Sequence, residues 1–365
     1  MIHRVTMPKW GLSMERGRVT GWFVAEGDEV EAGDDLADID TDKINGTLES
    51  PAAGVLRRVI ATAGEEVPVG GTIALLAPAG TQDAELDEAA RQARAEIDAG
   101  AVETPEGPVT GTVEVDGRSL AYATLGTEGE VVVLVHGYGG DKNSWLFVQE
   151  ALARTNVVHA LDLPGHGEST KDVGDGSLGT LADAVLGFLA ARGIERAHLV
   201  GHSLGGAVVT AAAAKAPHKV TALTLVAPAG FGTAVNAAYL RGFAAATSRR
   251  ELKPHLGALF ASPEPVTRQL TDDLLKYKRL DGVGKVLTTL LDTLLDGEKQ
   301  RIDAAPLLSE VDEAGVPVHV VWGRADAVLP PENVSLEVRY VDDAGHMVHL
   351  EAPGAVVAAI TAGGR

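Results

Sequence analysis

The stretch A-H-L-V-G-H-S-L-G-G-A-V-V-T-A-A-A-A-K occupies positions 197–215. It begins with a short apolar run typical of a buried strand, and its alanine-rich second half favours helix. Between the two halves, Gly201 and Gly205 relieve crowding at a sharp turn, which leaves the Ser203 hydroxyl exposed. The helix N-terminus beneath the turn favours developing negative charge. The pattern therefore predicts a nucleophilic serine where a strand passes into a helix.

Strands and helices alternate on both sides of this stretch. The continuous apolar run V-V-V-L-V at 131–135 is typical of a strand buried in a parallel sheet. The alternation predicts a doubly wound parallel sheet over residues 111–365, interrupted by a helical cap at about 231–305. The individual elements are a hairpin at 111–122 around Asp116-Gly117, strands at 157–161, 197–202, 220–226, 317–322 and 337–341, and helices at 178–192, 204–216 and 353–362.

Two further segments at predicted strand ends supply partners for a nucleophilic serine. W-G-R-A-D at 322–326 contributes Asp326, and D-A-G-H-M-V at 343–348 contributes His346. We expect His346 to accept the serine proton and Asp326 to fix the tautomer of the His346 ring. The alternatives to His346 are His349, His202 and His166.

A glycine-rich segment, H-G-Y-G-G at 136–140, directly follows the 131–135 strand. In this position the chain can present a backbone N–H towards a reacting carbonyl group. We expect the backbone N–H groups of Tyr138 and Leu204 to form an oxyanion hole. The alternative is a plain glycine-rich turn.

The N-terminal part of the chain contains two copies of one short pattern. V-A-E-G-D-E-V-E-A-G-D-D-L-A-D-I at 24–39 matches A-T-A-G-E-E-V-P-V-G-G-T-I-A-L-L at 61–76 with an offset of 37 residues. Two similar halves of short strands and glycine turns predict a small, pseudo-symmetric β-sandwich over about residues 1–78. Asp42-Lys43 falls where the first half reverses into the second, so we expect Lys43 on an exposed hairpin tip. The alternative is an ordinary solvated turn lysine.

Composition excludes several classes of protein and site. The chain of 365 residues has a net charge of −20, which argues against nucleic acid and anionic membranes as partners. It has no cysteine, so disulfides and thiolate metal sites are excluded, and we expect no metal. No stretch reaches the length of a membrane span, and a cytoplasmic protein is expected. Residues 79–110 are acidic and rich in breakers at 104–108, and we expect a flexible linker with a marginal helix at 84–96.

Residues 1–78 resemble the lipoyl (biotinyl-like) carrier domain, in which a lysine in a D-K turn carries the prosthetic group. The resemblance implies lipoate attached to Lys43 by a lipoate ligase. Biotin is the other cargo, but biotin carriers usually have methionine before the modified lysine, and here that residue is Asp42.

Residues 111–365 resemble the α/β-hydrolase family, whose catalytic residues occur in the chain order seen here for Ser203, Asp326 and His346. A lipoyl-like domain joined to such a domain resembles the dihydrolipoamide acetyltransferase subunits of acetoin dehydrogenase complexes. That resemblance implies acetyl transfer from the lipoyl arm to coenzyme A. It also implies a thiamine-diphosphate-dependent acetoin dehydrogenase component and dihydrolipoamide dehydrogenase as partners, and leaves a homo-oligomer open.

Three functions remain open at this point. The first is lipoyl-dependent acyl transfer to coenzyme A through an acyl-serine. The second is a lipoyl-tethered serine hydrolase, a thioesterase or esterase, which uses the same residues with water as the acceptor. The third is a non-catalytic carrier or scaffold, and the complete set of Ser203, Asp326, His346 and oxyanion glycines argues against it.

We predict that Lys43 becomes lipoylated, because it lies between the two repeats and follows Asp42. Intact-mass analysis after coexpression with a lipoate ligase should show one lipoyl adduct. Lys43→Ala should abolish the adduct, whereas Lys9→Ala, which changes the other lysine of residues 1–78, should keep it. An adduct that persists in Lys43→Ala would refute the assignment.

Overall fold

The structure is a computed structural model that describes residues 2–8, 14–41, 45–100, 107–262, 265–331 and 337–362. The chain divides into two compact units, Met1–Gly107 and Pro108–Arg365. Lys43 and Asp42 lie outside the described residues.

The first unit contains two four-stranded antiparallel sheets. Its strands are β1 (His3–Thr6), β2 (Arg16–Trp22), β3 (Glu29–Val30), β4 (Asp35–Asp40), β5 (Asn45–Glu49), β6 (Gly54–Val59), β7 (Glu66–Pro68) and β8 (Thr72–Ala77). One sheet has the order β1-β8-β6-β3 and the other has the order β5-β4-β2-β7. Leu36, Ala37 and Ile39 of β4 are buried together with Leu56, Ile73 and Leu75. The predicted β-sandwich is therefore present.

The sequence repeat appears as a repeat of structure. Strands β2, β3 and β4 of the first copy correspond in order to β6, β7 and β8 of the second, and the two sheets have equivalent strand orders. The second strand of each copy crosses to the other copy, since β3 pairs with β6 and β7 pairs with β2. The matched turn glycines Gly27 and Gly64 have φ of 105° and 91°, a conformation that favours glycine. The two copies therefore fold as one interlocked sandwich.

Helix α1 (Asp83–Asp98) corrects the expectation that residues 79–110 form one flexible linker. It packs on β6 and β8 of the first unit and buries Leu86 and Ala93. Arg94 donates to the Ile60 carbonyl at 2.7 Å and to Glu65, while Arg58 bonds to carboxylates in the first turns of the helix. The apolar face of the helix is mostly alanine, and these small side chains allow close approach to the sheet, while ion pairs at its edges hold the helix in place.

The second unit is built on one eight-stranded sheet with the order β18-β17-β14-β13-β11-β12-β10-β9. Its strands are β9 (Val109–Val115), β10 (Arg118–Leu125), β11 (Glu130–Val135), β12 (Asn156–Leu161), β13 (Ala197–His202), β14 (Val220–Val226), β17 (Val318–Gly323) and β18 (Arg339–Val341), with β15 (Leu295–Asp296) and β16 (Lys299–Gln300) as a separate ribbon. Strands β12, β11, β13, β14, β17 and β18 are parallel. The doubly wound sheet is thus present as predicted, and β9 and β10 form the predicted hairpin, with φ of 49° at Asp116 and 75° at Gly117.

Helices cover both faces of the sheet. They are α2 (Leu146–Leu152), α3 (Leu178–Ala191), α4 (Leu204–Lys215), α5 (Ala237–Ala245), α6 (Arg249–Leu256), α7 (Arg268–Lys278), α8 (Val283–Leu294), α9 (Ala305–Glu313), α10 (Val348–Glu351) and α11 (Pro353–Ala362). Helices α5 to α8 lie between β14 and α9, where the sequence predicts a cap. Within the described ranges, no helix is both long enough and apolar enough to cross a membrane.

The strand β11 shows how the sheet separates two cores. Val133 and Val135 pack with α3, α4 and the cap, while Val132 and Leu134 pack with α2 and α11 on the opposite face. Because successive side chains of a strand point to opposite faces, a continuous apolar run is required when both faces are covered. The carboxyl ends of the parallel strands therefore meet at one edge, where the predicted site residues follow β11, β13, β17 and β18.

We expect Leu86→Ala to lower the free energy of unfolding of the first unit by about 2 to 5 kcal/mol, because it leaves a cavity beneath α1. Hydrogen exchange of the β8 amides of the full chain in increasing denaturant reports on that unit alone. Gln92→Ala, on the exposed face of the same helix, should change the value by less than about 0.5 kcal/mol. Equal effects of the two substitutions would show that α1 does not contribute through burial.

Candidate active site

Ser203 lies at a strained turn between β13 and α4. Its φ of 52° and ψ of −120° are rare for a non-glycine residue, and its side chain is almost fully buried. The Ser203 N–H donates to Val226 O at 3.0 Å, while its carbonyl accepts from Gly206 N at 2.9 Å. A Cβ on Gly201 would lie 2.3 Å from Gly205 O, and a Cβ on Gly205 would lie 2.4 Å from Val135 O. The glycines are therefore required by close backbone approach, as the sequence predicts.

Asp326 and His346 are in direct contact at the same edge of the sheet. Nδ1 of His346 lies 2.8 Å from Oδ2 of Asp326, and both side chains are buried. Because carboxylate oxygens accept hydrogen bonds, this contact places the ring proton on Nδ1 and leaves Nε2 able to accept a proton. The structure thus brings together the two residues that the sequence assigned as base and orienting carboxylate.

Three more donors hold the Asp326 carboxylate. Oδ1 accepts from the backbone N–H groups of Val328 and Leu329, each at 2.8 Å. Oδ2 accepts from Nε1 of Trp322 at 2.9 Å in addition to the His346 ring. Sequence reasoning missed Trp322, although it lies in the quoted W-G-R-A-D segment. The only signal in the sequence for a role of Trp322 was its position near the end of a strand, four residues before Asp326.

Glu351 holds the loop that carries His346. Its Oε2 accepts from Gly345 N at 2.8 Å, and its Oε1 accepts from Ala261 N at 2.7 Å. Burial raises the pKa of Glu351 and outweighs the opposing effect of these two hydrogen bonds. Sequence reasoning also missed this residue, because Ala261 is 90 positions away in the chain. Glu351 therefore joins the His346 loop to the cap region.

His202 links the Ser203 turn to the loop that carries His346. The ring of His202, next to Ser203 in the chain, lies 4.7 Å from the ring of His346, and Nε2 of His202 is 3.0 Å from the His346 carbonyl oxygen. Within the part of the chain that is described, no hydrogen bond joins Ser203 Oγ to Nε2 of His346. Such contacts often tighten only when substrate binds.

The three alternative histidines lie in other positions. The rings of His202 and His349 pack with their centroids 4.4 Å apart and their planes tilted by 51°, and burial lowers the pKa of His349 to about 3. Both ring nitrogens of His349 are buried without a hydrogen-bond partner among the described residues. His166 packs against His136 at 4.8 Å, and burial lowers its pKa well below the usual value. Among the described histidines, only His346 contacts Asp326.

The predicted oxyanion loop lies against Ser203. A Cβ on Gly137 would lie 2.8 Å from Cβ of Ser203, so the loop can approach this closely only with glycine. The backbone N–H groups of Tyr138 and Leu204 have no acceptor within the described ranges, which leaves both available to a ligand. The Tyr138 hydroxyl donates to Leu287 O of α8 at 2.9 Å, and this bond holds the Tyr138 side chain against the cap.

A buried ion pair fixes the far end of this loop. Nζ of Lys142 lies 3.0 Å from Oδ2 of Asp162 and 2.8 Å from Oε2 of Glu168. Burial opposes the ammonium form, but the two carboxylates outweigh it and raise the pKa of Lys142. The Lys142 N–H also donates to Asp162 at 2.6 Å. The network ties the 136–142 segment to the 162–168 segment, whose His166 the sequence offered as an alternative base.

Comparisons with known proteins match both units. Residues 130–353 match the family described as alpha/beta hydrolase fold, and residues 3–76 match the family described as biotin-requiring enzyme. The fold of the second unit is similar to that of 2-hydroxy-6-oxo-6-phenylhexa-2,4-dienoate hydrolase from a Rhodococcus species. That similarity has a TM-score of 0.62 at 22% identity and covers 71% of this chain and 99% of the other.

Two curated relatives match almost the whole chain, including both units. The dihydrolipoyllysine-residue acetyltransferase component of the acetoin cleaving system of Pseudomonas putida is 46% identical, covering 96% of this chain and 95% of the relative. The component of the same name from Cupriavidus necator is 44% identical, covering 95% of this chain and 93% of the relative. The resemblance stated from the sequence is confirmed by these matches.

Removing the indole N–H by Trp322→Phe should lower kcat for acetyl-ester cleavage about tenfold, because a hydrogen bond to a charged group is worth about 1.5 to 3 kcal/mol. Trp145→Phe is the matched control, since Nε1 of Trp145 is buried without a partner among the described residues. Steady-state hydrolysis of p-nitrophenyl acetate would measure both variants. Similar losses in the two would mean that Trp322 acts only through packing.

Proposed function

This chain belongs to the family of dihydrolipoyllysine-residue acetyltransferase components of acetoin cleaving systems, and we propose that it moves acetyl from a lipoyl arm on Lys43 to coenzyme A through Ser203. The observation that carries the assignment of the catalytic residues is the contact of 2.8 Å between His346 and Asp326 beside the strained serine turn. The backbone N–H groups of Tyr138 and Leu204, which have no acceptor among the described residues, complete the arrangement.

The carrier role rests on the place of Lys43 in the sequence. Lys43 falls between Asp40 and Asn45, the last residues that pair in strands β4 and β5. A carrier lysine must be reachable by a ligase and by more than one active site. When attached, lipoate supplies a thiol that holds acetyl as a thioester.

In the first half of the reaction, Ser203 Oγ attacks the thioester carbonyl carbon while Nε2 of His346 takes the serine proton. The negative oxygen of the tetrahedral intermediate accepts from the N–H groups of Tyr138 and Leu204, an effect worth about 3 kcal/mol per donor. The carbon–sulfur bond then breaks, and His346 returns the proton to the leaving thiolate. An acetyl ester on Ser203 remains.

In the second half, the coenzyme A thiol loses its proton to His346 as its sulfur attacks the acetyl-serine. The same two N–H groups stabilise the oxyanion, and Oγ of Ser203 leaves with the proton from His346. Asp326 stabilises the His346 imidazolium in both halves, and Trp322, Val328 and Leu329 prevent that carboxylate from rotating away.

The remaining assignments concern partners and location. The names of the two relatives place those proteins in acetoin cleaving systems, which supports a multienzyme complex for this chain. We propose a thiamine-diphosphate-dependent component that loads the arm, dihydrolipoamide dehydrogenase that reoxidises it, and a lipoate ligase, all in the cytoplasm. Asp38 and Asp40 of β4 would guide docking of partners through their negative charge.

Ser203→Ala should abolish acetyl transfer while leaving lipoylation of Lys43 intact, because the nucleophile is lost without disturbing the first unit. Asp326→Asn should lower kcat about 10⁴-fold, since the imidazole loses its orienting partner. Ser262→Ala, an exposed serine, serves as the control. The measurement is acetyl transfer from S-acetyl-dihydrolipoamide, with acetyl-coenzyme A and free acetate quantified together.

The molecule that accepts the acetyl group, coenzyme A or water, distinguishes a transferase from a hydrolase. Acetyl-coenzyme A should exceed acetate when coenzyme A is saturating. If acetate dominates under those conditions, the chain is a lipoyl-tethered hydrolase. If Ser203→Ala retains full transfer, both catalytic functions are refuted.

A further inference from the structure

The cap carries a basic surface cleft that the catalytic residues do not use. It lies between α6 and α7 and has a volume of about 600 Å³. We call it the cap cleft, and its lining residues are Ser248, Arg249, Arg250, Asp272, Leu275, Lys276 and Arg279. Its volume lies within the range of about 300 to 1,000 Å³ that is usual for sites of small molecules.

The charge of the cap cleft is opposite to that of the chain. Residues 249–285 contain eight lysine and arginine side chains and five carboxylates, whereas the whole chain has a net charge of −20. Four of the lining residues are cationic and only Asp272 is anionic. A local positive site on an acidic protein attracts a small anion while the surrounding charge repels polyanions such as nucleic acid.

Two of the four cations are already paired. Arg249 binds both carboxylate oxygens of Asp272, with Nη2 at 2.6 Å from Oδ2, and Lys276 lies 2.9 Å from Asp273. Arg250 and Arg279 have no carboxylate partner within the described parts of the chain. Their guanidinium groups are therefore available, and guanidinium geometry suits bidentate contact with phosphate.

The cap cleft is linked to the oxyanion loop through one aromatic side chain. The ring of Phe243 in α5 lies 6.0 Å from the ring of Tyr138. Nζ of Lys278 lies 4.8 Å from the Phe243 ring centre and donates to the Phe243 carbonyl oxygen. Lys278 is adjacent in the chain to Arg279, which lines the cleft. The segment that lines the cleft is thus connected to the oxyanion loop through contacts of Phe243.

We propose that the cap cleft binds the phosphate groups at the nucleotide end of coenzyme A, with Arg250 and Arg279 as the main contacts. The proposal rests on the proposed acetyl transfer, because it names the site of the acceptor. Coenzyme A carries its thiol on a long flexible arm with its phosphates at the far end, so the phosphates can be held in a cleft that none of the proposed catalytic residues lines. Binding energy from this remote end helps to place the thiol at the acyl-serine.

The test compares two acceptors that share a thiol arm but differ in phosphate. The Arg250→Gln/Arg279→Gln double variant should raise KM for coenzyme A about tenfold or more, since hydrogen bonds to charged groups are lost. KM for pantetheine, which has no phosphate, should change by less than about twofold, within the usual scatter of surface substitutions. Arg91→Gln/Arg154→Gln, which removes the same charge at exposed positions elsewhere, should leave both values unchanged.

Calorimetric titration with adenosine 3′,5′-bisphosphate tests binding without any chemistry. The wild-type chain should bind it, and the Arg250/Arg279 double variant should lose most of that affinity. Failure of the wild type to bind, or equal changes of KM for coenzyme A and pantetheine, would overturn the proposal. A variant defective only when the acetyl donor is a whole lipoyl domain would assign the cleft to an acidic protein surface instead and would also overturn it.

The two proposals fail in different ways. If the wild-type chain transfers acetyl to neither acceptor yet binds the bisphosphate in a manner that depends on Arg250 and Arg279, the transferase function fails and the cleft remains a phosphate site. If transfer proceeds but the bisphosphate does not bind, the transferase stands and the cleft proposal fails.

Discussion

The strained backbone at Ser203 is the constraint on which the catalytic unit depends. A positive φ at a residue with a side chain costs energy, and the turn persists only because its surroundings leave no alternative. Close contacts of the Gly201 and Gly205 backbones, together with the hydrogen bond from Ser203 to Val226, hold it. The turn presents the hydroxyl at the edge where the parallel strands end, and the other functional groups are placed relative to it.

Around that turn, the charged groups of the site are held by neighbours that do not react. Asp326 accepts from one indole, two backbone N–H groups and one imidazole, so its orientation is fixed before substrate arrives. Glu351 holds the loop before His346, and the Lys142–Asp162 pair holds the loop that contains Tyr138. Such preorganisation is valuable because donors aimed at developing charge need no rearrangement during reaction.

The first unit is stabilised in a different way. A carrier domain must be small and stable while it presents one lysine. Because β3 pairs with β6 and β7 pairs with β2, each repeat contributes a strand to the sheet of the other, and the two sheets are interlocked. Helix α1 enlarges this unit beyond the two repeats and covers β6 and β8. Part of the cap carries positive charge, in contrast to the acidic character of the chain as a whole.

The sequence alone determined the β-sandwich of the first unit, the alternation of strands and helices in the second unit and the serine turn, and it named Asp326 and His346 as candidates. These features follow from local spacing, since turn glycines, apolar periodicity and repeats can each be recognised in short stretches of sequence. Only the tertiary structure decided which histidine meets Asp326, that Trp322 and Glu351 support the site, that α1 packs on the first unit and that Arg250 and Arg279 line one cleft. Each of these depends on contacts between segments that lie far apart in the chain, and a linear pattern does not specify them.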